Sequence, residues 1–284
     1  MADMADKWLV ETAWLADHMN APGLVILDGS WHLPTVKRDA HEEYLQEHIP
    51  GALFFDIDEI SDTSNPLPHM LPSAEKFASR MRDMGIGDGM DIVVYDSYGM
   101  FSAARVWWTF RVMGVETVRV LNGGLRKWKA EGRPLEDGPS PKRTARHFTA
   151  RRNAELVRDR DEVLAYSNGG GAQIVDARSA ARFAGKAPEP RPGLRSGHIP
   201  GSFNVPYDLL LQPDGGFKPA RELQKVFEQA GVDVSKPVVN TCGSGVTASI
   251  LSLALAMIGN RNAAVYDGSW SEWGADDKLP VVTD

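Results

Sequence analysis

Apolar positions along this chain fall into short runs that alternate with striped segments. Leu24–Asp28, Ile92–Tyr95 and Val118–Leu121 are brief, β-branched and apolar, which predicts strands, while Ala74–Met84 and Ala103–Val112 carry helical patterns between them. The second half does the same. Ile174–Asp176, Val238–Asn240 and Ala263–Tyr266 read as strands, and Ala220–Ala230 and Thr247–Ile258 as helices. Apolar strands separated by helices predict an α/β fold with a mainly parallel sheet flanked by helices. In such sheets ligands sit beyond the carboxyl ends of the strands, where loops lead into helices.

The halves also match in detail. Leu24-Val-Ile-Leu-Asp28 answers to Gln173-Ile-Val-Asp176, and His48-Ile-Pro-Gly51 recurs as His198-Ile-Pro-Gly201. Ile92-Val-Val-Tyr95 recurs as Pro237-Val-Val-Asn240, Val120-Leu-Asn-Gly-Gly124 as Val265-Tyr-Asp-Gly-Ser269, and Trp128 as Trp273. A repeat this long is a duplicated domain, because solenoid repeats run only to roughly 20–50 residues. The expected organisation is an N-terminal domain over 1–138, a linker over 139–150 opened by Pro139 and Pro141, and a C-terminal domain over 151–284.

Composition narrows the function classes. The 284 residues are 43% hydrophobic and 24% charged, ordinary for a globular chain, with a net charge of −7. No global basic field is available to hold a nucleic-acid backbone or an anionic membrane, so neither partner is expected. Met1 to Trp8 contains neither a basic nor an apolar leader region, and the longest apolar stretch, Ile250–Ile258, is too short to cross a bilayer. A cytoplasmic location is expected. The single cysteine, Cys242, rules out an intramolecular disulfide and a thiolate-rich zinc site within one chain.

Cys242 stands where the strand-end rule puts a site. Val238–Asn240 is the expected strand and Thr247 opens the expected helix, leaving Thr241-Cys-Gly-Ser-Gly-Val246 as the turn between them. Gly243 and Gly245 let the backbone curl so that successive N–H groups point inward, a nest beside a helix N-terminus that favours thiolate or persulfide sulfur. A free cysteine among apolar strands is more often buried filler, but the glycine spacing argues for a nucleophile here. The first half's counterpart, Asp96 to Ala103, has no cysteine and carries bulky Tyr98, Met100 and Phe101. One repeat is therefore expected to be catalytic and the other not.

The duplicated domain, the twice-used His-Ile-Pro-Gly, the closing Tyr266-Asp-Gly-Ser-Trp-Ser-Glu-Trp273 and the loop Cys242-Gly-Ser-Gly-Val-Thr247 resemble the tandem-domain sulfurtransferases, which comprise rhodaneses and mercaptopyruvate sulfurtransferases. The resemblance implies two tandem rhodanese-like domains and sulfur transfer through a Cys242 persulfide. Rhodanese-type loops carry Arg and Lys after the cysteine, suited to dianionic thiosulfate; Gly243 and Ser244 here follow the mercaptopyruvate type. The donor so implied is 3-mercaptopyruvate, with cyanide, a small thiol or thioredoxin as acceptor; thiosulfate:cyanide transfer and a non-enzymatic persulfide carrier are the alternatives.

The resemblance also assigns residues. The segment from Ala181 to Pro192 is similar to the family's substrate loop, which gives Arg182 and Arg191 the carboxylate and 2-oxo group, with Arg178 and Arg195 near enough to be confused with them. A planar guanidinium suits two oxygens. Gly243, Gly245, Val246 and Thr247 complete the cradle for sulfur. Phe55-Asp-Ile-Asp58 and Pro66-Leu-Pro-His-Met-Leu71 resemble the stretch that brings an Asp and a His to the active-site serine, here Asp58, His69 and Ser244, a chain able to move a thiol proton. On the residues alone, the reading favoured for His69 is a turn residue near prolines, and Asp58 reads equally as a helix cap. His48 and His198 read as structural because the copy without a cysteine keeps its histidine, and the tryptophans read as packing. Related phosphatase domains use Cys-x5-Arg, whose arginine position here is Ala248. No P-loop or metalloprotease motif occurs, and no cofactor or metal is expected.

Overall fold

The structure is a computed structural model that describes residues 7–284. The reading that Met1 to Trp8 lacks a leader rests largely on residues 1–6, which lie outside the described residues. The chain divides into two compact units. One holds the described residues through Ser64, Leu71–Asn153 and Gln212–Phe217; the other holds Asn65–Met70, Ala154–Leu211 and Lys218–Asp284. Residues 139–150 have no regular secondary structure and pack within the first unit: Ser140 Oγ lies 2.7 Å from the Tyr44 hydroxyl, and Phe148 is buried against Phe77.

The first unit runs β1 (Leu9–Val10), α1 (Thr12–His18), β2 (Leu24–Asp28), α2 (Ala40–Gln46), β3 (Leu53–Phe54), α3 (Ala74–Asp83), β4 (Asp91–Tyr95), α4 (Ala103–Val112), β5 (Val118–Leu121) and α5 (Gly124–Ala130). The second runs β6 (Val157–Arg158), α6 (Arg160–Ser167), β7 (Gln173–Asp176), α7 (Ala180–Phe183), β8 (Phe203–Asn204), α8 (Ala220–Gln229), β9 (Val238–Thr241), α9 (Ala248–Met257), β10 (Ala264–Tyr266) and α10 (Ser269–Trp273). The sheet orders are β1-β5-β4-β2-β3 and β6-β10-β9-β7-β8, and every pairing is parallel. The α/β expectation of two flanked parallel sheets therefore holds.

Local chemistry explains the elements. Residues Val25–Asp28, Ile92–Tyr95 and all of β9 are buried, as strands covered on both faces require. Helices α4 and α9 are buried along all ten residues each, which accounts for their lack of a polar face. Arg105 and Arg111 survive inside α4 by lying over indole rings, Arg105 on Trp108 at 4.5 Å and Arg111 on Trp8 at 4.5 Å. Amphipathic α3 starts where Ser73 accepts the Lys76 amide, and α6 starts in a capping box formed by Asp159 and Glu162.

The duplicated histidines hold duplicated turns. His48 Nδ1 bonds the Tyr44 carbonyl and stacks on that ring; His198 Nδ1 bonds the Phe183 carbonyl and stacks on Phe183. Each also joins an antiparallel bridge, to Glu136 and to Val282. Trp8, Trp107, Trp108, Trp128, Trp270 and Trp273 are fully buried.

One detail of the repeat needs correcting. Strand register pairs Asp28 with Tyr95 in the first sheet and Asp176 with Thr241 in the second. Tyr95 is therefore the counterpart of Thr241, one residue beyond the match made on Val-Val alone. Three β-branched residues in a row within β4, Ile92-Val93-Val94, give no side chain by which sequence could choose between the two registers.

Candidate active site

Strand β9 ends at Thr241, and six residues, Cys242–Thr247, turn the chain into α9. Because α9 is apolar all round and buried, its N-terminus is fixed behind the loop. Gly245 takes φ +78°, a left-handed conformation that a side chain disfavours. The rest of the frame comes from α10. Trp270 N–H donates to the Cys242 carbonyl at 2.9 Å, Ser271 N–H and Oγ–H to the Gly243 carbonyl at 2.9 and 2.7 Å, and the Cys242 N–H to Ser269 Oγ at 3.2 Å. Ser269 itself holds φ +50°, a strained conformation costing about 1–2 kcal/mol, and its hydroxyl is tied to the Tyr266 carbonyl. The loop's carbonyls are thus drawn toward α10. The amides of Gly243, Ser244, Gly245, Val246 and Thr247 donate to no backbone or side-chain acceptor among the described residues. Cys242 is 2% exposed and Ser244 5%.

The first repeat shows what such a turn accepts. Leu125 N–H donates to the Asp96 carbonyl as Trp270 N–H does to that of Cys242, and the strand register agrees, so Asp96 stands in the cysteine's place. Its carboxylate folds back into its own turn. One oxygen takes the amides of Tyr98 and Gly99 at 3.0 and 2.9 Å, the other those of Phe101 and Ala103 at 2.7 and 2.8 Å. Burial pushes the Asp96 carboxyl up and these four amides pull it down. The same strand-to-helix turn therefore holds a side-chain anion by backbone N–H groups in one unit and a cysteine in the other.

Arginines line the second unit's turn. A Cβ built on Gly243 would stand 3.2 Å from Arg182 Nη2 and 3.8 Å from Arg191 Nη1, so both guanidinium groups flank that residue. Glu189, its side chain 2% exposed, positions one of them: its carboxylate takes Arg182 Nη2 at 2.5 Å and Nε at 3.3 Å, and Arg178 Nη1 at 2.8 Å. Arg178 is wholly buried, paired with Asp176 at 2.7 Å and stacked on Trp270 at 4.1 Å, and the two carboxylates beside it raise its pKa against the opposing effect of burial. Arg195 bonds the carbonyls of Trp273, Gly274, Asp276 and Leu279 and so ties down the end of α10. The two arginines that sequence left open to confusion are thus built into the scaffold, and Arg182 and Arg191 border the loop.

His69, expected on the first half, belongs to the second unit although it precedes α3 in the chain. It is 6% exposed at φ +61°, and its Nε2 lies 3.3 Å from Arg191 Nη2. A guanidinium only donates, so Nε2 is the acceptor and the ring proton is on Nδ1. Asp58 is in the first unit, exposed, where its Oδ2 accepts the Trp31 indole N–H at 2.9 Å. Among the described residues no cluster of three or more His, Cys, Asp or Glu side chains could hold a metal ion, and no helix is long and apolar enough to cross a membrane.

Sequence reasoning passed over Glu189, Ser269 and Ser271. Glu189 lies inside the segment from Ala181 to Pro192, and an acid two residues before Arg191 in a proline-broken loop is a usable signal. The serines carried none, since hydroxyls serving carbonyls across the fold follow no local pattern.

Comparison with known proteins settles the family. The rhodanese-like domain matches this chain twice, over residues 11–131 and 159–276. The 3-mercaptopyruvate sulfurtransferase of Escherichia coli strain K12 is 46% identical over 279 residues, covering 98% of this chain and 99% of that protein. Thiosulfate sulfurtransferase of Bos taurus is 45% identical over 272 residues, covering 93% and 91%. Among solved structures, that of SseA from Escherichia coli, described as showing the rhodanese fold and catalytic mechanism of 3-mercaptopyruvate sulfotransferases, superposes with a TM-score of 0.85 at 43% identity over 93% of this chain and 99% of that one. The chain belongs to the rhodanese-like family, with two tandem copies of the domain.

Proposed function

We propose that this protein is a sulfurtransferase that moves sulfur from 3-mercaptopyruvate through a Cys242 persulfide to a thiophilic acceptor. The relatives divide between mercaptopyruvate and thiosulfate donors at nearly equal identity, so overall similarity does not choose the donor. The observation that carries the choice is the pair of guanidinium groups beside Gly243, in a loop with no cation of its own. A 2-oxo acid puts its carboxylate away from the reacting sulfur, where arginines on a neighbouring loop can take it. Thiosulfate would place a dianion on the loop itself.

The reaction is ping-pong. The Cys242 thiolate attacks the donor's thiol sulfur; the S–S bond forms as the C3–S bond breaks, and the electron pair moves into the pyruvate enolate. Arg182 and Arg191 hold the carboxylate and the 2-oxo oxygen on which that charge develops. The proton once on the donor's thiol ends on C3, giving pyruvate and an anionic persulfide. Ser244 and His69 carry that proton, in the roles the family resemblance assigns them. The persulfide lies against the amides of Gly243 to Thr247, as the Asp96 carboxylate lies in the first repeat. An acceptor then takes the outer sulfur and restores the thiolate: cyanide in the assay, a small thiol or thioredoxin in the cytoplasm. No second cysteine is present to resolve the persulfide, so an external acceptor is required. Steady-state turnover with each donor and cyanide tests the reading. It expects kcat/KM to be much the greater for 3-mercaptopyruvate; the reverse ratio overturns it, and a stable persulfide without multiple turnover would favour a carrier.

A further inference from the structure

The two sheets end on the same acid and treat its charge differently. Asp28 closes β2 and Asp176 closes β7, both buried, and each accepts the backbone N–H two residues on at 2.9 Å, from Ser30 and from Arg178. In the second unit the side chain of that residue returns to the acid: Arg178 places Nε and Nη2 on Asp176 at 2.7–3.1 Å. In the first unit the residue is Ser30, which brings hydrogen bonding but no charge. Tyr95 also hydrogen-bonds the carboxylate, and the charge of Asp96, which acts on it, is of the same sign. Burial consequently pushes the Asp28 carboxyl up to about 6, so that near neutral pH it is an ionised, buried group with no ion-pair partner among the described residues.

A cleft of about 420 Å³ opens beside it, lined by Asp28, Ser30, Glu43, Ser97 and Arg126 among others, at the carboxyl ends of β2 and β4. The hydroxyl of Ser97 is buried there with no hydrogen-bond partner among the described residues. Of the cations around the cleft, Arg38 is bonded twice by Glu43 and Lys129 is paired with Glu47, whereas Arg126 has no ion pair among the described residues.

We propose that this cleft is a second binding site, for a small organic cation bearing a guanidinium or primary ammonium group, whose N–H donors bond Asp28 as Arg178 bonds Asp176. Ser97 Oγ accepts a further N–H. Arg126 then favours a ligand that carries a carboxylate at its other end, a guanidino acid or amino acid, over a simple cation.

Methylguanidinium and guanidinoacetate are the probes, titrated against the full chain labelled with ¹⁵N. Both are expected to give saturable shifts of the Ser30 and Ser97 amides, guanidinoacetate at lower concentration, and Arg126→Ala to remove the difference between them. Tetramethylammonium, with charge but no N–H, gives no such shifts. Asp28→Asn and Ser30→Arg, the second filling the slot from within the chain, abolish both titrations and leave sulfurtransferase turnover at the wild-type rate. If Asp28→Asn does not fold, Ser30→Arg decides alone. Absence of saturable shifts with methylguanidinium, or shifts that persist in Ser30→Arg, overturns the proposal.

Discussion

Glu189→Gln separates the role of the arginine that Glu189 holds from the role of the scaffold. The carboxylate bridges two guanidinium groups, Arg178 at 2.8 Å and Arg182 at 2.5 Å. Gln keeps the shape and one carbonyl oxygen, but its amide turns donors toward a donor-only guanidinium and removes the negative charge. Breaking a buried pair outright costs about 3–5 kcal/mol. Here Arg178 retains Asp176 and the Gly197 carbonyl, and Arg182 is partly exposed and can turn to water. The cost is therefore at or below the bottom of that range, about 2–3 kcal/mol, and Tm should fall by about 4–12 °C at roughly 2–4 °C per kcal/mol. The kinetic effect is separate. Arg182, released, no longer holds the donor's carboxylate, and loss of one charge-assisted contact worth about 1.5–3 kcal/mol raises KM for 3-mercaptopyruvate roughly 10- to 150-fold. Discharge of a preformed persulfide by cyanide, which carries no carboxylate, keeps its rate. Thermal denaturation followed by circular dichroism, with the two half-reactions measured separately, gives all three numbers. A lowered Tm with an unchanged donor KM would refute the positioning role and leave Glu189 purely structural.

Cys242→Ser should abolish turnover with either donor while leaving Tm within a few degrees, since the buried site tolerates a smaller atom; residual turnover in a mass-verified preparation contradicts the nucleophile assignment. Arg191→Gln should raise KM for 3-mercaptopyruvate by about tenfold or more, the loss of one charge-assisted contact, and an unchanged KM removes Arg191 from the donor site. The raised Asp28 carboxyl fixes a pH dependence. The folded state holds this proton more tightly than the unfolded chain, so the contribution to stability is fully present below about pH 4 and is lost as pH rises through about 6. The loss amounts to ~3 kcal/mol at ~1.4 kcal/mol per pH unit. Asp28→Asn should therefore gain stability relative to wild type from pH 4 to pH 7 in urea denaturation, and a pH-independent difference would show that Asp28 titrates normally.

Much of this fold is legible because its central strands are short, mostly apolar runs and two of its helices are buried on every side. Leu24–Asp28, Val118–Leu121 and Ala103–Val112 are bounded in the structure as their patterns predict. The edge strands β1, β3, β6 and β8 are two residues each, too short to carry a period, and they exist because a neighbouring strand offers them a ladder. At the candidate site, the Cys242 turn was readable from its glycines and its place after a strand. The Asp96 carboxylate was not, because sequence shows an acid in a loop but not that four amides close on it. Nor did sequence show that His69, encoded before α3, clusters with the second unit. Contacts made across long separations leave no local periodicity, and they decide which residues meet.

The central claim is that Cys242 takes sulfur from 3-mercaptopyruvate with release of pyruvate. It is tested most directly by mixing the purified protein with this donor in the absence of any acceptor. Pyruvate is then measured, and the Cys242 peptide is weighed by mass spectrometry. One pyruvate released per chain, with one added sulfur on Cys242 that cyanide removes, is the predicted result. Pyruvate release without sulfur on Cys242, or no release with this donor while thiosulfate loads the cysteine fully, would contradict it.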